Sequence, residues 1–306
     1  MTIMSVREYK FEGTYKKQLM VMESFIEAVN EGNLQQVRCL LNTKSVAVDA
    51  QDRWGDPMIS IACRSGHFAI VQELAERGAD LSMRGEVSGY SPLHEACKWG
   101  DVRILQLLID KGANIHMKAN IAAPVTPLDL AVEFANIECV SLLLRLGAKV
   151  SSWQGNELLR IACQYAMADK YTATRLIILL LNYRFCPNAR LSNTYTPFTY
   201  AIKFCPHLVE EFICRGADVE EPYFCDTFTS GRPLHFAAFY GLDKVVKLLR
   251  DARAETTVKD IHGKTPLELA MQQLGDIQKK GSYTQADLDM IQQWKAIIVL
   301  LSPSKG

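Results

Sequence analysis

Ala28, Ala62, Ala96, Ala131, Ala162, Ala201, Ala237 and Ala270 climb the chain in steps of 34, 34, 35, 31, 39, 36 and 33 residues. Each alanine sits in a similar local pattern, so the period belongs to a repeated structural unit. A unit of that length has room for a turn, two short helices and a loop, and too little sequence to bury its own apolar face. Such units must stack on one another, and the chain is expected to grow in one dimension.

Superposing the rungs gives the unit. Four residues before the alanine stands Met58, Pro92, Pro127, Leu158, Pro197, Pro233 or Pro266, and before several of these comes Ser91, Thr126, Thr196 or Thr265. A hydroxyl at the N-cap accepts from free N–H groups of the first turn, and proline at the first helical position loses only an unpartnered donor. Gly32, Gly66, Gly100 and Gly241 stand four residues after the alanine and stop the helix in a left-handed turn. A second helix brings leucines eleven and twelve residues past the alanine, as in Leu107-Leu108, Leu142-Leu143 and Leu248-Leu249. It ends at Gly78-Ala79, Gly112-Ala113, Gly147-Ala148 or Gly216-Ala217.

The run from Ser91-Pro92-Leu93-His94-Glu95-Ala96 to Gly112-Ala113 resembles the signature of the ankyrin repeat, and the resemblance covers about residues 20 to 301. It implies an all-α ankyrin-repeat solenoid of about eight stacked helix-turn-helix repeats with projecting hairpin-like loops. The expected organisation is a polar N-terminal leader at 1–19, a single solenoid at 20–301 and a tail at 302–306. The leader is either disordered or tacked onto the first repeat as extra helix by Phe11, Tyr15 and Leu19. The resemblance also gives His94 and His235, at the fourth signature position, a structural hydrogen-bonding role.

Charge and cysteine usage narrow the function. The chain has 34 basic and 34 acidic residues and no Lys/Arg-rich block, which removes the footprint expected of a nucleic-acid or anionic-membrane binder. The amino terminus lacks a secretory apolar core, and the greasiest stretch, near Leu176–Leu181, is too short to span a bilayer. A cytoplasmic protein, present also in the nucleus, is expected. Of 9 cysteines, Cys63, Cys97 and Cys163 follow the ladder alanine directly, where Ala238 stands in another repeat, and read as core thiols of a reducing compartment. His94 and Cys97 on one helix, and the looser set Cys205, His207, Cys214 and Cys225, lack the paired spacing of a zinc site, so no metal and no cofactor is expected.

Repeats five to eight depart from the pattern. The fifth carries about six extra residues at Met167–Thr172 and has Leu158 and Arg184 where proline and glycine are expected; in the sixth, Pro206 should stop the first helix. The seventh has a longer connection through Pro222–Phe228. In the eighth, Thr284-Gln285-Ala286-Asp287 reads as a variant capping box opening a last helix to Leu301 that caps the stack.

No Gly-rich phosphate loop, H-E-x-x-H, G-x-S-x-G or kinase signature set is present, and a non-enzyme is expected, a lone catalytic cysteine such as Cys225 being the remaining alternative. Family resemblance places partners on the concave face, formed by loop tips and first helices. Three residues past the ladder alanine, five consecutive repeats carry Trp99, Phe134, Tyr165, Phe204 and Tyr240, while flanking repeats carry Glu31, Ser65 and Gln273; Trp54, Tyr90 and Tyr195 add aromatics at loop tips. One such aromatic reads equally as packing between repeats. Five in succession favour a groove for an apolar or amphipathic segment of a protein partner. Lys98, Glu133 and Lys203 beside them are mixed in sign and indicate no strong steering. Asn188 falls in the register that an asparaginyl hydroxylase modifies in the family, although a plain turn asparagine fits the same slot.

The expected function is a non-catalytic intracellular protein-interaction module, a scaffold, adaptor or inhibitor. The alternative is a substrate-recognition subunit of a cullin-type ubiquitin ligase, because Leu93–Lys98 and the repeated cysteines are similar to ankyrin-repeat SOCS-box proteins. Against it, no recognisable SOCS box follows Leu301, so ubiquitin-ligase subunits would have to be bound by another surface or subunit.

Overall fold

The computed structural model describes residues 6–122, 124–149, 152–188, 196–222, 231–279 and 282–302, with side chains described from Lys17 onward except at 152–156. Tyr195, Cys225 and residues 223–228 of the long connection lie outside the described residues. The described residues form sixteen α-helices and no β-strand, with one isolated bridge between Gln51 and Pro57. The chain divides into two compact units, Met1–Lys149 and Val150–Gly306.

The first unit holds four helix pairs: α1 (Val6–Asn30) with α2 (Leu34–Asn42), α3 (Met58–Arg64) with α4 (Phe68–Glu76), α5 (Pro92–Trp99) with α6 (Val102–Asp110), and α7 (Pro127–Glu133) with α8 (Ile137–Arg145). Helices α1, α3, α5 and α7 pack in sequence as one layer, and α2, α4, α6 and α8 as the other. The ladder alanines lie between the layers, and across both units all eight are at most 1% exposed. A methyl side chain is what lets successive helices approach; Leu105, Leu108, Leu74 and Leu143, all fully buried, fill the remaining space. Each such leucine contributes about 2 kcal/mol by leaving water.

Helix starts are fixed by side chains. Thr126 Oγ1 accepts from Asp129 N at 3.3 Å, while Asp129 Oδ2 accepts from Thr126 N at 2.6 Å; Thr265 and Glu268 do the same at the head of α15 (Pro266–Gln278). Adjacent repeats are pinned by polar bonds. Asn136 Nδ2 donates to Cys97 O and Lys98 O at 2.7 and 3.0 Å, His67 Nε2 bonds Asn30 O at 2.9 Å, and Glu73 accepts from Arg38 and Arg77 at 2.7 Å each.

The second unit repeats the plan less regularly. It comprises α9 (Ser152–Tyr165), α10 (Lys170–Asn182), α11 (Pro197–Phe204), a 3₁₀ turn at Pro206–Leu208, α12 (Val209–Cys214), α13 (Pro233–Phe239), α14 (Asp243–Asp251), α15 and α16 (Gln285–Leu301). Half of the fifth repeat's insertion becomes helix: Asp169 caps α10, accepting from Tyr171 N and Thr172 N, and α10 is lengthened to 13 residues. Pro206 ends α11 as expected and opens the 3₁₀ turn. The Thr284–Asp287 box forms, and α16 packs on α14 and α15, with Trp294 Nε1 donating to Ala238 O at 3.1 Å.

Left-handed backbone recurs at the two stops of each repeat, and not always on glycine. Lys44, Arg184 and Arg253 take φ of 51°, 61° and 66° at the end of a second helix, and Ala135 takes 54° after α7. Space explains why side chains survive at the second-helix stop: a Cβ on Gly112 would meet nothing within 4 Å. At Gly100, by contrast, a Cβ would lie 2.6 Å from Asn136 Oδ1, the side chain that pins the next repeat. Gly112→Ala should therefore cost about 1 kcal/mol, the price of a left-handed alanine, and Gly100→Ala about 2 to 4 kcal/mol because the overlap adds to it. Urea unfolding of the two variants checks this; equal losses would remove the overlap argument.

Candidate protein-binding face

Finger loops precede α3, α5 and α7 in the first unit. The finger at 51–57 is tied by Asp52, whose Oδ1 accepts from Trp54 N and Asp56 N at 2.9 Å each, and by Gln51 Nε2 donating to Gly55 O at 2.9 Å. Trp54 stands out from it, 53% exposed, with the Arg53 guanidinium 3.9 Å from its ring centre. The next finger is closed by Gly85 N donating to Tyr90 O and is joined to the third by Asn120 N donating to Gly89 O, both at 3.0 Å.

Trp99 ends α5 and is 57% exposed, yet its indole is fixed. Nε1 donates to Glu95 Oε2 at 3.2 Å, and Glu95, itself 2% exposed, turns its other oxygen to Arg64 Nη2 at 3.0 Å. The same Nη2 reaches Asp56 Oδ2 at 2.7 Å. Burial works against the Arg64 charge, but the bonds to Glu95 and Asp56 outweigh it and hold the guanidinium protonated well above its ordinary range. A half-buried cation between two carboxylates thus links the finger at 51–57 through α3 to α5. Lys98 forms a second cluster, its Nζ 5.3 Å from the Tyr90 ring centre and 5.6 Å from that of Phe134, which is 44% exposed.

Trp54, Trp99 and Phe134 of the first unit are thus exposed, Tyr90 is half-buried, and Lys98 lies between Tyr90 and Phe134. In the second unit Tyr165 and Phe204 are half-buried and Tyr240 is 43% exposed; Phe204 stacks on Tyr200 at 5.6 Å, and Tyr240 meets Phe239 edge-on at 5.1 Å. Asn188 staples two turns, Nδ2 donating to Gly216 O and Oδ1 accepting from Asp218 N, both at 2.7 Å. The Asp56–Arg64–Glu95 cluster escaped sequence reasoning. Its link between repeats, Arg64 to Glu95, joins opposite charges at different offsets of neighbouring repeats, which superposing repeats on one another hides.

His94 and His235 hold the helix starts. His94 Nδ1 accepts from Ser91 N at 3.3 Å and its Nε2 bonds Val125 O, in the next finger, at 3.1 Å; His235 makes the corresponding bonds to Arg232 N and Val258 O at 3.2 and 3.0 Å. A ring that accepts at one nitrogen and donates at the other is neutral. Cys63, Cys97 and Cys163 are buried beside the ladder, and burial pushes their thiols up. Among the described residues no cluster of three or more His, Cys, Asp or Glu is placed to hold a metal, and no helix is long and apolar enough to cross a membrane.

These helix pairs and fingers define an ankyrin-repeat fold. The family model for ankyrin repeats (three copies) matches residues 25–119 and that for a single ankyrin repeat matches 125–153, so ankyrin repeats are found over those residues. It is similar to ankyrin repeat domain-containing protein 29 of Danio rerio, 34% identical over 73 residues, and to that of Homo sapiens, 32% identical over 71 residues. The match covers 24% and 23% of this chain and spans about a quarter, 24%, of each relative. Among solved structures, the human ASB11 ankyrin repeat domain aligns over 92% of this chain and 99% of its own, with 21% identity and a TM-score of 0.44. As a class, ankyrin repeats are protein-interaction modules and typically non-catalytic.

Burial holds His94 down to about 4, against backbone bonds that favour its charge. Its folded value lies below the unfolded one, so between about pH 6.5 and 4 the unfolded chain takes up the proton and the folded chain does not. Stability from this site is complete above that window and falls as the pH drops through it, by about 3 kcal/mol. Urea unfolding of wild type and His94→Gln from pH 7 to pH 4 should show the wild type losing more stability by that amount. Parallel pH curves would contradict it.

Proposed function

We propose that the chain is a non-catalytic protein-binding module, acting as scaffold, adaptor or inhibitor, that grips a partner on the inner face of its ankyrin repeats. The observation that carries this reading is Trp99: more than half exposed, and bonded through the buried Glu95 to the half-buried Arg64. An exposed indole that is already immobilised loses little rotamer entropy when a partner covers it, which is the property of a binding hot spot. Phe134 and Trp54 supply further aromatic area, and Tyr90 lies between finger and helix. Tyr165, Phe204 and Tyr240 are proposed as contacts in the second unit, with Phe204 and Tyr240 less available because they already pack on neighbouring rings. The bonds of Asn188 to the next turn support a structural role there, and its hydroxylation remains a proposal for that residue alone.

The test starts with capture from cell extract on wild-type chain and on the Trp99→Ala, Phe134→Ala double variant, whose melting curve is first shown to be intact. A protein retained by the wild type is then titrated against single variants. Trp99→Ala and Phe134→Ala should each weaken binding about tenfold or more, whereas Leu146→Ala, an exposed apolar residue following α8, should change it less than about twofold. A neutral Trp99→Ala would refute the inner-face reading.

A further inference from the structure

Of the five aromatics that stand three residues past a ladder alanine, three are braced by the residue four positions earlier, directly before that alanine. Residues i and i+4 of a helix lie on one face, a turn apart, so the earlier side chain can hold the later one. Trp99 donates to Glu95, Phe204 stacks on Tyr200 with ring centres 5.6 Å apart, and Tyr240 lies on Phe236 at 4.5 Å. Two of the braces are met by an arginine of the preceding repeat. Arg64 bonds Glu95 at 3.0 Å in the first unit, and in the second the Arg160 guanidinium lies 5.5 Å from the Tyr200 ring centre.

Stacking alone does not demand these residues. Leu130 and Leu269 fill the same slot in repeats four and eight, 1% and 4% exposed. Glu95, 2% exposed, is thus a carboxylate where the fold accepts a leucine. Burying a carboxylate is unfavourable unless it is bonded. What Glu95 supplies that leucine does not is an acceptor for the Trp99 indole and a second partner for Arg64.

We propose that Glu95, Tyr200 and Phe236 are positioning residues of the binding face: each fixes the ring one helical turn further on, and so sets affinity through that ring. The inference rests on the inner-face reading above and adds the residues that prepare the face. A ring held before binding gives up less rotamer freedom when it is covered.

Glu95→Leu puts into the slot the residue that repeats four and eight carry there, and Glu95→Gln keeps an acceptor for the indole. NMR of the free full chain reads the motion of Trp99 from the heteronuclear NOE of its indole N–H, with the buried Trp294, bonded to Ala238 O, as the rigid standard. Trp99 should match Trp294 in the wild type and in Glu95→Gln, and become mobile in Glu95→Leu with the melting curve unchanged. A protein captured as above should bind Glu95→Leu about threefold to tenfold more weakly, the effect of one newly mobile side chain, and Glu95→Gln like the wild type. In the second unit Phe204→Trp carries the same reporter, and Tyr200→Leu should free it. An indole that stays rigid in Glu95→Leu or beside Tyr200→Leu overturns the positioning inference and leaves the inner-face reading standing. A freed Trp99 with undiminished binding overturns the inner-face reading, and the inference with it.

Discussion

Everything in this molecule depends on how closely one helix pair can approach the next. A single repeat has two short helices and no way to cover its apolar face, so it is stable only against a neighbour. The ladder alanines set that approach: a side chain larger than methyl at these nearly sealed positions would push the layers apart and empty the space that Leu105, Leu108 and Leu143 fill. The finger loops inherit their positions from the same stacking. His94 and His235 each reach from one helix start to the loop carbonyl of the next repeat, so the fingers that carry Val125 and Val258 are tied to the helix layer as well as by hydrogen bonds of their own.

The stack was legible because its demands are local and repeated. Thr126-Pro127, Thr265-Pro266 and the Thr284 box are caps that read directly as helix starts, and Pro206 stops α11 as a proline must. Where one residue type has a single job, sequence and structure agree. The stops were less transparent: glycine is expected there, yet Lys44, Arg184 and Arg253 take the left-handed turn because no neighbouring atom needs the space at that slot in other repeats. The insertion of the fifth repeat was also ambiguous, since three of its residues could extend a helix or a loop, and Asp169 decides for the helix by capping α10.

The binding face was legible only in part. Aromatic register brought out Trp99 and Phe134, but register does not say which rings are free, and Phe204 and Tyr240 share their area with Tyr200 and Phe239. What fixes Trp99 is a charge network whose members come from different offsets of different repeats, Asp56 and Arg64 from one and Glu95 from the next. Arg64 and Glu95 are paired in space and unpaired in any single-repeat alignment.

On the proposed reading a partner covers the finger side of the first unit and leaves the layer of α2, α4, α6 and α8 bare. Hydrogen exchange of the chain with and without a captured protein, read by mass spectrometry, tests it most directly. Protection is predicted in the segments holding Trp54, Tyr90, Trp99 and Phe134, with α4, α6 and α8 unchanged. Protection confined to α4, α6 and α8, with the fingers exchanging as in the free chain, would contradict the account.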